Sequence, residues 1–87
     1  MQRGDKTVYD FITVTDSKEK TEVIFAYSKP KGNIRKETFL YEKAYKSYTQ
    51  TQISTSGTEK SEHITESEFF WAYGAALGEM SKGVPKG

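Results

Sequence analysis

The segment ITESEFFWAYGAALGEMSKGVP, residues 64–85, decides how this chain is built. Thr65 followed by Glu68 has the spacing of a capping box: the threonine oxygen accepts from the backbone N–H three residues on, and the glutamate reaches back to the N–H of the cap. Ile64, just before the cap, is placed to staple onto Phe69. Glu66 and Glu68 lie at the positive end of the helix dipole and Lys82 at the negative end. Gly83 then offers a left-handed cap, and Pro85 forbids continuation. These signals predict a helix over about residues 66–82.

Two stripes run along that helix. Phe69, Tyr73, Ala76, Leu77 and Met80 form an apolar stripe, the face expected to lie on a sheet. Full burial of each large side chain there contributes about 1.5 to 3 kcal/mol before losses. Ser67, Trp71, Gly74, Gly78 and Ser81 form a second stripe of small residues around one tryptophan. A glycine in a helix interior costs about 1 kcal/mol relative to alanine, so Gly74 and Gly78 need a compensating use. The plainer use is close approach of the helix to its own sheet. The functional one is a contact face for a partner protein or for a symmetric dimer.

Upstream the pattern changes from helical to alternating. Residues 6–15, KTVYDFITVT, are rich in β-branched and aromatic types, with Val8, Asp10, Ile12 and Val14 on one side of a strand and Tyr9, Phe11, Thr13 and Thr15 on the other. After the polar break at residues 16–20, TEVIFAYS at residues 21–28 repeats the alternation, which predicts a hairpin. Lys29 to Asn33 contain Pro30 and Gly32 and form a second turn, with a third strand at about Ile34 to Tyr41.

The middle admits two readings. Tyr41, Ala44, Tyr45 and Tyr48 have the spacing of one helical face, with Glu42, Lys43 and Lys46 turned to solvent. Against a helix stand the mediocre propensities of Tyr, Thr, Ser and Phe, the lack of an N-cap, and strand-like flanks TFLY and YTQTQIS. The region is therefore expected to be a long extended one. YTQTQI alternates a threonine row with a glutamine row, a turn follows around Gly57, and KSEHI at residues 60–64 makes a short return strand. The expected fold is α+β, a single domain spanning 1–87, with an antiparallel sheet of four to five strands and the C-terminal helix across one face.

Composition limits what such a domain does. At 87 residues a single core supplies only about 3 to 5 kcal/mol of net stability, so a large internal cavity is not expected. Cysteine is absent, so neither disulfides nor thiolate metal sites help. Met1 to Lys6 hold no apolar segment of signal-sequence type, and a cytoplasmic location is expected. The run from Phe69 to Met80 is short of the roughly 20 residues of a spanning helix, which argues against a membrane role. Thirteen basic and twelve acidic residues give a net charge of +1, far from the positive field of a protein that grips phosphates.

Two constellations are candidates for chemistry. Tyr41, Tyr45 and Tyr48 with Arg35, Lys36, Lys43 and Lys46 could stack bases and follow phosphates, or could equally form a protein-binding patch. The plainer reading is an aromatic sheet face with lysines at its edge. His63, the single histidine, has Glu59, Glu62 and Glu66 near it but too few ligands for a metal, and no nucleophile or orienting partner makes it a hydrolase base. No cofactor motif is present, and the glycines occupy no phosphate-cradling pattern. Enzymatic activity is not expected.

Both faces of the first hairpin carry apolar groups, whereas one helix covers one face. That surplus points to a small non-enzymatic protein whose partner is another protein, with a homodimer as one form. Its contact residues are expected among Tyr41, Tyr45, Tyr48, Arg35, Lys43, Lys46, Trp71, Gly74 and Gly78. Compact proteins of this size often serve as inhibitors or adaptors, including those that bacterial viruses direct against host defence. A nucleic-acid-binding module using residues 35–52 is the alternative, followed by a structural or assembly subunit.

Overall fold

The computed structural model describes residues 9–81. Five strands, β1 (Tyr9–Asp16), β2 (Lys20–Lys31), β3 (Ile34–Glu42), β4 (Ser47–Ser54) and β5 (Glu59–His63), precede one helix, α1 (Glu66–Ser81). The strands pair antiparallel in chain order, β1-β2-β3-β4-β5, and α1 packs across one face of this sheet. The expected α+β architecture is the one observed, with the upper of the two strand counts. Residues 6–8 of the first expected strand, and the helix-ending signals at Lys82, Gly83 and Pro85, lie outside the described residues.

The helix starts as its capping chemistry requires. The Thr65 N–H donates to Glu68 Oε1 at 2.9 Å, and the Glu68 N–H donates to Thr65 Oγ1 at 3.2 Å. Ile64 donates its N–H to the Tyr48 carbonyl at 3.0 Å and packs against the core, which fixes the angle at which the chain leaves the sheet. Phe69, Ala72 and Ala76 then form the buried side of α1, against Ile12, Val23, Phe25, Tyr27 and Phe39 of the sheet. Phe69, Ile12 and Val23 are its largest fully enclosed side chains.

This rotation of α1 corrects the expected stripe. Leu77 is 46% exposed, while Ala72, outside that stripe, is fully buried. Small residues do let the helix approach the sheet, but they are the alanines at 72 and 76. A Cβ placed on Gly74 or Gly78 would meet none of the described residues within 4 Å, so close packing against the sheet is not what these glycines provide.

Two bulges redirect side chains. The β1–β2 register slips between Tyr9 and Phe11, and with Asp10 as the extra residue Tyr9 pairs with Tyr27 on the helix side. There its ring lies 5.8 Å from Phe25 and 5.4 Å from Tyr27. The expected grouping of Tyr9 with Phe11 is thus broken. A second slip, between Ile34 and Lys36 on β3, likewise turns Ile34 toward the core. Phe11, Ile24, Leu40 and Ile53 occupy the opposite face, half-buried among Thr13, Thr38 and Thr51. The apolar surplus is therefore smaller than the sequence implies, because Tyr9, Phe25 and Tyr27 are taken up under the helix.

The long extended region expected over residues 41–50 is instead a hairpin. β3 ends at Glu42, residues 43–46 turn with Lys46 at φ 50°, and β4 begins at Ser47. Neither a helix nor an uninterrupted strand forms, because Tyr41 and Tyr48 become direct cross-strand partners. The sheet ends are tied by the loops: Lys43 Nζ donates to Asp16 Oδ1 at 2.8 Å and to the Ser17 carbonyl at 2.6 Å, and at the other end Thr55 donates its N–H to the Asn33 carbonyl at 2.9 Å. The Lys43 contact holds the Asp16 carboxyl below its ordinary value.

Candidate partner-binding surface

Once Phe69, Ala72 and Ala76 face inward, helical periodicity turns Phe70, Trp71, Gly74, Leu77 and Gly78 outward. Phe70 is 50% exposed and Trp71 71% exposed. With Leu77 they leave three large apolar groups in solvent around two bare stretches of backbone at the glycines. Phe70 lies edge-on to Tyr73 and to Phe69, and its ring centroid is 6.4 Å from that of Tyr48 on β4.

Beside Trp71 the helix overhangs a groove. Ser67, Glu68 and Trp71 form its helical wall, and Glu37, Phe39 and Gln50 of β3 and β4 form the sheet side, enclosing about 440 Å³. Glu37 is half-buried, and its carboxylate accepts three hydrogen bonds from neutral donors: the Tyr27 hydroxyl, Gln50 Nε2 at 3.0 Å and Gln52 Nε2 at 2.9 Å. Register produces this cluster, since Gln52 lies opposite Glu37, and Gln50 lies opposite Phe39 on the same face. Burial, and next the hydrogen bond to Glu37, push the Tyr27 hydroxyl far above its usual range. Burial, followed by the Glu79 and Glu37 charges, raises Tyr9 in the same sense.

The residues expected to act together are distributed over three places. Trp71, Gly74 and Gly78 share the outer face of α1. Tyr41 and Tyr48 stack on each other and lean on Phe69, so their faces belong to the fold. Tyr45 and Lys46 stand in the exposed turn, Lys43 is bound to Asp16, and Arg35 sits at the opposite end of β3, about 26 Å away by strand rise. The tyrosines and cations thus do not assemble into a stacking platform. His63 is exposed at the end of β5, and among the described residues no group of three acidic, histidine or cysteine side chains is placed to hold a metal ion. No helix among them is long and apolar enough to cross a membrane.

Sequence reasoning passed over Phe70, which falls between the two stripes, and Glu37. A signal for Glu37 did exist: it stands two residues before Phe39 and four before Tyr41, a charge in an otherwise apolar row, and the glutamine row of β4 is its complement. No protein-family model, curated protein or solved structure matches the chain.

Proposed function

We propose that this chain is a non-enzymatic protein-binding module, of inhibitor or adaptor type, that docks another protein through the outer face of α1. The observation that carries the reading is the pair of exposed glycines flanked by Phe70, Trp71 and Leu77. Glycine lowers helix stability wherever it is not used, and among the described residues nothing lies where a side chain on either of these two would go. A bare helical backbone lets a second surface approach closely, and a neighbouring tryptophan is the residue type that most often anchors an interface.

Charge favours a different protein over a second copy. α1 carries Glu66 and Glu68 in its first turn and no basic residue, so the helix of a second copy offers these carboxylates no cation. For the nucleic-acid alternative the arrangement is unfavourable, because Tyr41, Tyr48 and Lys43 are already engaged.

The test is a photo-crosslinking side chain at position 81, at the exposed edge of the same helix face so that both glycines are kept, activated in cells of the protein's own source, with position 15 on the opposite sheet face as control. A discrete adduct with one other protein from position 81, lost on Trp71→Asp or Leu77→Asp in a folded variant, is the expected result. Adducts with no protein, or equal labelling from both positions, would overturn the reading.

A further inference from the structure

We infer that the groove beside Trp71 receives the cationic side chain, arginine or lysine, of a basic segment of the partner protein, an inference that rests on α1 being the docking surface. Among the described residues, the charged ones lining the groove are Glu37 and Glu68, both acidic, and the aromatic residue at its rim is the exposed Trp71. Lys60, opposite Gln52, is the nearest basic residue along that row of the sheet, and it does not line the groove. Glu37 matters most. Its half-buried carboxylate is oriented by three neutral donors and has no cation against it among the described residues, so its charge is positioned but not neutralised. Glu68 directs both its cap contacts through Oε1, which leaves Oε2 open.

A guanidinium or ammonium group entering here meets carboxylates from two elements beside an exposed indole, and carboxylates with an aromatic ring are the combination that stabilises a partly desolvated cation. The volume, about 440 Å³, admits a long side chain with its flanking backbone and lies in the range of about 300 to 1,000 Å³ typical of ligand sites. An acidic segment would instead face like charge.

Trp71 is the single tryptophan, so its fluorescence reports the groove directly. The experiment titrates the full chain with a blocked tetra-arginine peptide, with a blocked tetraglutamate peptide as control, and repeats both in Glu37→Gln, Ser67→Arg and Thr15→Arg. Ser67→Arg places a cation in the groove from an exposed helical site; Thr15→Arg adds the same charge on the other sheet face. The inference predicts a saturable, salt-sensitive emission change with the arginine peptide alone, weakened at least ten-fold by Ser67→Arg and Glu37→Gln and little changed by Thr15→Arg. Equal response to both peptides, or equal weakening by Ser67→Arg and Thr15→Arg in folded protein, would overturn it. Peptide failure alongside a persisting position-81 crosslink removes the groove inference alone; peptide binding without that crosslink removes the docking reading alone.

Discussion

The rings of Tyr41 and Tyr48 stack across the β3–β4 hairpin, with centroids 4.5 Å apart and planes 14° from parallel. Both also touch the ring of Phe69, at 6.1 Å and 5.4 Å, so the pair forms the rim of the core. A double-mutant cycle of Tyr41→Ala and Tyr48→Ala, followed by urea unfolding, should give a coupling of about 0.5 to 1.5 kcal/mol. Additive losses would mean that the stack contributes nothing beyond the burial of each ring.

Adjacent phenylalanines on α1 should behave differently. Phe69 is 1% exposed and Phe70 half exposed. Phe69→Ala should cost about 3 to 5 kcal/mol, comparable to the whole stability of a domain this small, and leave the chain largely unfolded at 25 °C. Phe70→Ala should stay within about 1 kcal/mol of the parent. Circular dichroism with denaturant titration distinguishes them, and a folded Phe69→Ala protein would place the core elsewhere.

The cap at Thr65 gives a smaller, local effect. Thr65→Ala removes the acceptor of the Glu68 N–H and should lower stability by about 1 kcal/mol. Thr65→Ser, which keeps the oxygen, should recover most of that loss. Hydrogen exchange should show the opening concentrated in the first turn of α1.

Tyr27 sets an alkaline limit. Burial and the bond to Glu37 raise its folded value above the ordinary 10.0, so the folded state holds a proton that the unfolded chain releases first. The stabilisation is fully present below pH 10 and declines as pH rises above it, with Tyr9 acting in the same direction. Tyr27→Phe should flatten the alkaline limb of a stability–pH curve. At neutral pH it should cost about 1.5 to 3 kcal/mol, because Glu37 loses one of its three donors. An unchanged alkaline limb would assign the effect to other groups.

The two ends of the chain's story differ in how far they are legible in its residues. The start of α1 is local chemistry, a threonine and a glutamate three positions apart, and it reads correctly from the sequence. Alternation likewise yields β1, β2 and β3, although β2 runs on through Pro30 to Lys31, where a turn beginning at Lys29 is expected from the sequence. The hairpin at residues 43–46 does not, since Tyr41, Tyr45 and Tyr48 fit helical spacing and their neighbours fit a strand, and only pairing with β2 and β5 resolves the two. Bulges at Asp10 and Arg35 are properties of pairing and leave no mark on either strand alone. The groove is more distant still, because Glu37, Gln50 and Ser67 meet only through register and helix rotation. Trp71, Gly74 and Gly78 were recognisable as one face; that the face is turned outward was not.

The most direct test of the outer helix face is Gly74→Leu, studied for stability and for crosslinking from position 81 in the same variant. Gly74 has helical backbone and open space where a side chain would go, so leucine should raise stability by about 0.5 to 1 kcal/mol while the adduct with the partner disappears. A variant that unfolds would return the glycine to the fold, and a stable variant that still forms the adduct would remove the outer face of α1 as the place where the partner sits.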